Sequence, residues 1–279
     1  AECEEPILKL ATTPLMVTIF AVVHDSRTVL PKQRAFFYED AVDILLSGVE
    51  YKDEYDSVIA QSEGWDTKFL KDRLSHIAFT LMERKLESML EADLVDLIWP
   101  RFGIAKEEAS HIACRFIQAV ASQDALLEKV DDRYGFYSHA TFREFLAGRY
   151  LASGFATTKM HRKFLEDHLE DDQWEEPIRL AVGFSAISGE ETTDRLVNLL
   201  AGLGDSESKR SQALALAGFA FADLPKGRRL PGTEQNMVRK LEKALGENPP
   251  LVQPIHRRKL GLALGELGDP RLDPLKPKM

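Results

Sequence analysis

The chain has 279 residues, 44% hydrophobic and 29% charged, an ordinary composition for a globular protein with a sizeable core. Its formal net charge of −9 disfavours a broad phosphate-gripping surface, because non-specific nucleic-acid affinity is built from clustered Lys and Arg. Two cysteines, Cys3 and Cys114, suggest neither a disulfide framework nor a zinc site, so a reducing, cytoplasmic setting is the expectation.

The longest apolar run, Leu15 to Val23, is about half of the ~20 residues needed to span a bilayer, so no membrane segment is expected. Glu2, Glu4 and Glu5 stand where a signal peptide would carry basic residues. The absence of an initiator Met and the abrupt end at Leu272-Asp273-Pro274-Leu275-Lys276-Pro277-Lys278-Met279 suggest a piece of a longer protein.

Phe37, Ala41, Ile44 and Leu45 form a helical stripe behind the break at Leu30-Pro31. Residues 48–66 are polar, contain Gly48 and Gly64, and read as a loop. Asp66-Thr67 can cap a helix whose stripe is Leu70, Leu74, Ile77 and Leu81. Ile98-Trp99-Pro100 breaks the chain before a third apolar face of Ala109, Ile112, Ala113, Phe116, Ile117 and Val120. Two β-prone runs, 125–130 and 136–139, flank an Asp-rich turn ending at Gly135 and predict a hairpin.

Three helices and a small hairpin are the content of a winged helix. Beyond residue 160, four amphipathic helices follow, around Leu196–Leu203, Ala213–Phe221, Met237–Leu245 and Leu260–Leu267, with glycine stops at Gly204, Gly246 and Gly268. Their short connections suggest stacked helix pairs, and Gly268-Asp269-Pro270-Arg271 looks like the turn of a HEAT-type repeat. The expected fold is therefore mainly α: a helical subdomain (1–65), a winged helix with one small β-hairpin (66–158), and HEAT-like α-solenoid helices with a linker tail (159–279).

The segment Tyr137-Ser138-His139-Ala140-Thr141-Phe142-Arg143-Glu144-Phe145 must contain a helix start. A histidine there can reach an anionic ligand, since free backbone N–H groups favour negative charge; it can equally be a local cap or packing residue. The seven carboxylates of 166–176 read as a solvated acidic face, with Trp174 and Pro177 anchoring the next helix. His161 and His168 lack a third ligand in register, and His76 and His111 lie beside apolar stripes as packing residues. Lys226, Arg228, Arg229 and Arg257-Arg258-Lys259 read as solvated loop and helix-start charges.

Three segments in order resemble the signalling NTPases that carry a NACHT module, the STAND class of P-loop ATPases. They are Leu10–Ala21 around Pro14, the run Leu30-Pro31-Lys32-Gln33-Arg34-Ala35-Phe36-Phe37-Tyr38-Glu39-Asp40-Ala41-Val42, and the His139 segment. The last two resemble the family's "LP…R…LYEEAV" helix and its winged-helix "F-H-x-T/S-F-x-E-[FY]". The resemblance covers roughly the first 155 residues. It implies that Pro14 packs on an adenine ring and that His139 contacts the β-phosphate of ADP, clamping the winged helix on the nucleotide core at rest. Read without the resemblance, Pro14 is a helix N1 proline behind Thr12-Thr13.

No G-x-x-x-x-G-K-[ST] occurs, nor an apolar strand ending in paired acids, so this chain is expected to be no enzyme by itself. The resemblance places ADP or ATP with Mg, and ATPase activity, on an upstream P-loop core of the parent chain, with no nucleotide held tightly by this part alone. It further implies an unknown ligand or protein sensed on the helical repeats, nucleotide exchange, homo-oligomerisation on activation, and a place in bacterial defence. Two alternatives are a winged-helix DNA-binding regulator and a helical-repeat interaction scaffold without a switch. Against the first, the would-be recognition helix 106–120 carries Glu107 and Glu108 beside only Lys106 and Arg115.

Overall fold

The computed structural model describes residues 14–27, 31, 33–47, 66–102, 105–121, 126–137, 140–154, 159–246 and 253–272, and within them lie twelve α-helices and one three-stranded antiparallel sheet. The expected mainly α class with a winged helix is thus what the chain adopts. None of the described helices is long and apolar enough to cross a membrane. The polar segment expected as a loop at 48–66 lies, up to residue 65, outside the described residues. Two compact units share the elements: one holds the first helix and Phe37–Tyr150, the other residues 33–36 and the chain from Leu151 onward.

In the first unit, α1 (Pro14–Arg27) buries Met16, Ile19 and Val23, and Phe20 stacks on Phe37 at 4.3 Å between ring centroids. Helix α2 (Arg34–Ser47) buries Phe37, Tyr38, Ala41, Val42 and Leu46. Its inward face is turned from the expected one: Ile44 and Leu45 are only half-buried, and Tyr38 and Val42 go inside instead. Tyr38 sets this rotation by packing on Phe142 and Phe145, each 5.5 Å away.

The winged helix follows. Asp66 caps α3 (Thr67–Glu83) by accepting from the Phe69 N–H at 2.7 Å, and all four residues of the expected stripe are buried. Next come β1 (Ser88–Leu90), α4 (Glu91–Ile98), a 3-10 turn at Trp99–Arg101 and α5 (Lys106–Val120), whose six predicted apolar residues are all inside. The hairpin of β2 (Glu128–Val130) and β3 (Arg133–Gly135) leads to α6 (Ala140–Gly154).

The hairpin is tighter than its sequence suggests. Val130 pairs with Arg133, so the turn is Asp131-Asp132 alone, and Asp131 takes a φ of 56° that aspartate tolerates. Arg133 to Gly135, expected in the turn, form the central strand, because β1 pairs along its other edge. Gly135 is required there: a Cβ would lie 2.4 Å from the Glu87 carbonyl oxygen.

One carboxylate ties the winged helix together. Glu91 accepts from Cys114 Sγ (2.8 Å), Tyr134 Oη (2.8 Å) and Gln118 Nε2 (3.1 Å), joining α4, α5 and β3. The Cys114 bond above all, then those from Tyr134 and Gln118, holds this carboxyl below its ordinary pKa against its burial. Burial and the facing Glu91 push the Cys114 thiol up to about 11, so it is a structural donor and not a nucleophile.

The second unit contains α7 (Lys159–His168), α8 (Glu175–Ser188), α9 (Glu190–Leu200), α10 (Glu207–Ala222), α11 (Pro231–Gly246) and α12 (Pro254–Leu267). Helix α10 packs against α8, α9, α11 and α12. It is therefore buried nearly all round, Ser211 to Phe221, whereas its sequence suggests a single apolar face. At Gly218 a Cβ would come within 3.0 Å of Ala263 and 3.3 Å of Leu241, which shows how closely α12 and α11 approach. Trp174 and Pro177 are buried as expected.

Several charges expected to be solvated have structural duties here. Arg229 donates to the Ala222 and Leu224 carbonyls at the end of α10, and Arg257 to the Leu245 carbonyl near the end of α11. In the acidic run, Glu176 accepts from Arg34 at 2.6 Å. Arg34 also reaches Asp223 at 2.9 Å, and Asp223 takes two further bonds of 2.9 Å from Arg179. Burial alone would lower the pKa of Arg34; Asp223 and Glu176 outweigh it and hold the guanidinium above its ordinary value. Removing the shared acid leaves two mostly buried guanidiniums with one half-buried partner. Asp223→Asn is expected to cost about 3 kcal/mol, more than Glu176→Gln, and denaturant midpoints of the two variants check the order.

Candidate functional site

The two residues singled out by sequence are placed as follows. Pro14 is the first residue of α1, but its side chain lies outside the described residues. His139 directly precedes α6 and also lies outside them. What the structure defines is how α6, the helix after His139, is held.

Helix α6 presents Phe142, Phe145, Leu146 and Arg149 inward, a spacing of three and four that keeps them on one face. The two phenylalanines receive Tyr38 of α2. One turn later, Arg149 donates to Asp72 Oδ1 at 2.7 Å and to Ser75 Oγ at 3.3 Å on α3. Its Nε stands 3.6 Å from Glu39 of α2, which is also paired with Lys71, and Lys71 reaches Asp43 at 2.7 Å. Arg149 and Lys71 have side chains only 8% exposed, so each is a buried cation that needs its carboxylates.

The family-like segment at 30–42 thus contributes interior partners: Arg34, Tyr38 and Glu39 each have a structural contact. Sequence reasoning missed Lys71 and Arg149. A basic residue one position past a core leucine (Leu70, Lys71) and another in an apolar run (Leu146 to Leu151) were the available signals.

At the end of α6, Tyr150 stacks on His76 with ring centroids 5.2 Å apart and planes 19° off parallel. Tyr150 Oη accepts from Arg101 at 3.0 Å, and Arg73 donates to the Arg101 carbonyl at 2.8 Å. His76 Nδ1 is buried with no hydrogen-bond partner among the described residues. Burial first, then the positive charges of Arg101, Arg73 and Arg84, press the imidazole down to about 4, so it is neutral at physiological pH. His76 is the packing residue that its position beside an apolar stripe suggested. His111, expected to pack in the same way, is exposed.

No group of three or more His, Cys, Asp or Glu among the described residues could hold a metal ion. On α5, the helix a DNA-binding winged helix would insert, Glu107 and Glu108 are exposed beside Lys106, which lies 5.6 Å from the Trp99 ring centroid. Such a face gives phosphates little to hold.

Residues 34–151 match the family model of a winged helix-turn-helix domain C-terminal to NACHT. The match begins at the first residue of α2 and ends within α6, so it takes in α3, β1, α4, α5 and the hairpin. It supports a NACHT-associated region, consistent with a NACHT core preceding it in the parent chain. No curated protein and no solved structure matches the chain.

Two outcomes follow from these contacts. Arg149→Met should cost about 3 kcal/mol by leaving Asp72 without its cation and Glu39 with Lys71 alone, and Arg149→Lys should not restore it, since lysine lacks the fork that reaches both; thermal melts check this. His76 has a folded-state pKa of about 4, below the ordinary 6.5, so the unfolded chain takes up the proton first. The stability due to the neutral ring is complete above about pH 6.5 and lost as pH falls toward 4. His76→Phe keeps the stack on Tyr150, and its melting temperature should fall less than that of the unaltered chain between pH 7 and 4.

Proposed function

We propose that this region is the regulatory arm of a NACHT-type, nucleotide-dependent signalling switch whose P-loop core lies upstream in the parent chain. The observation that carries the reading is the match of residues 34–151 to the winged helix that follows NACHT. Its last helix, α6, begins at the residue after His139, and Tyr38, Asp72 and Ser75 hold that helix.

In this reading His139 donates to the β-phosphate of ADP and Pro14 packs on the adenine, while the upstream core supplies the rest of the site and the Mg. This chain carries no G-x-x-x-x-G-K-[ST] motif, so in this reading hydrolysis belongs to the upstream core. The helices α8–α12 act as HEAT-like sensing repeats. A ligand that binds the open form better shifts the population; a near-complete switch requires about 5.5 kcal/mol of differential binding. Exchange of ADP for ATP then releases the histidine and permits assembly of several copies, a scheme suited to bacterial defence.

The test is calorimetric ADP affinity of the parent chain, nucleotide core included, with His139 intact and as His139→Ala. A hydrogen bond to a charged group is worth about 1.5–3 kcal/mol, so the variant should bind ADP roughly ten- to a hundredfold more weakly with an unchanged fold. Equal affinity would overturn the clamp and leave the region a helical scaffold.

A further inference from the structure

The second unit carries a half-open cleft of about 280 Å³ where the turn after α9 meets α10 and α11. Its lining includes the half-buried apolar Ala201, Leu214 and Ala244 and the basic Arg210, Lys240 and Lys243. The two lysines are three residues apart on α11, so they share a face. Glu207 is the one carboxylate in the lining, and it is already engaged by Arg210 at 3.1 Å and Ser211 Oγ at 3.4 Å. Neither lysine pairs with a carboxylate among the described residues. In a chain of net charge −9, two uncompensated ammonium groups beside an apolar floor are a local reversal of sign.

The charge count selects the ligand. A carboxylate would neutralise one of the two surplus charges, whereas a phosphate monoester carries about −1.5 to −2 near neutral pH on three strong acceptor oxygens. Lysine serves phosphate as a point charge and needs no fixed angle to do so. The cleft is too small for a folded partner and suits a phosphate attached to a body of about one ring. We propose that this cleft binds the phosphate monoester of a small organic ligand, with Lys240, Lys243 and Arg210 around the phosphate and the ligand body on Ala201, Leu214 and Ala244. Only the further step, that such a ligand is the trigger, rests on reading α8–α12 as the sensing part.

The 279-residue chain is titrated with phenyl phosphate, benzoate and benzyl alcohol by calorimetry. Phenyl phosphate should bind at least tenfold more tightly than benzoate, and benzyl alcohol should not bind over the same range. Lys240→Gln/Lys243→Gln, on the outer face of α11, should weaken phenyl phosphate at least tenfold without moving the melting temperature. Lys226→Gln/Arg258→Gln, removing two exposed charges elsewhere, should leave the affinity unchanged. Equal affinity for phosphate and carboxylate, no binding, or the same loss in both double variants would overturn the proposal. Binding is read here without the nucleotide core, so a failure leaves the His139 clamp standing, and a failed clamp leaves the cleft standing.

Discussion

Lys71 and Arg149 are cations taken largely out of water, and Glu39 is the group that lets both be there. Helix α2 carries Glu39 to within reach of Lys71 on α3 and Arg149 on α6; Asp43 and Asp72 supply the remaining countercharge. Three helices distant in sequence are thereby set in one register. An apolar contact tolerates sliding, because one methyl resembles another. A buried charge does not: displacement by one turn would leave an ammonium or a carboxylate unpaired at a cost of several kcal/mol. Hydrophobic burial holds α2, α3 and α6 together, and this ionic cluster specifies which of the similar packings is the native one.

The same device recurs at other points of the molecule. Glu91, on α4, gathers three donors from α5 and β3, which lets a sheet of three-residue strands persist although its ladder is short. In the other unit, Asp223 at the end of α10 receives Arg34 and Arg179. A carboxylate at a helix carboxy-terminus meets an unfavourable dipole, and two guanidiniums offset it. Each unit thus uses acids as hubs for several donors.

How much of this could be read in the sequence divides along a physical line. The stripes of α3 and α5 were legible because their faces are amphipathic and locally capped, as Asp66 shows. The strand Ser88–Leu90 was not, since three residues cannot display a period of two. Helix α10 was legible as a helix but not as the most buried one, because periodicity reports one face and α10 has apolar neighbours on several. Least legible were the charges. Arg34 meets partners 142 and 189 residues away, and nothing local separates it from a solvated arginine. For the site, the helix bearing the His139 motif was foreseen, whereas its supports in Lys71, Asp72 and Arg149 were not.

Several cations of this acidic chain have internal duties, and this makes the placing of the others informative. Arg34, Lys71, Arg149, Arg179, Arg229 and Lys259 each answer a carboxylate of the chain itself. At physiological ionic strength screening acts over about 8 Å, so the net negative charge repels an approaching anion weakly at a distance. Close in, the local arrangement decides. Lys240 and Lys243 are set apart from those internal cations by having no such carboxylate among the described residues and by lining a cleft with an apolar floor. Simple solubility would be served as well by lysines scattered over the helix; their convergence on one opening is what a specific anion requires and solvation does not.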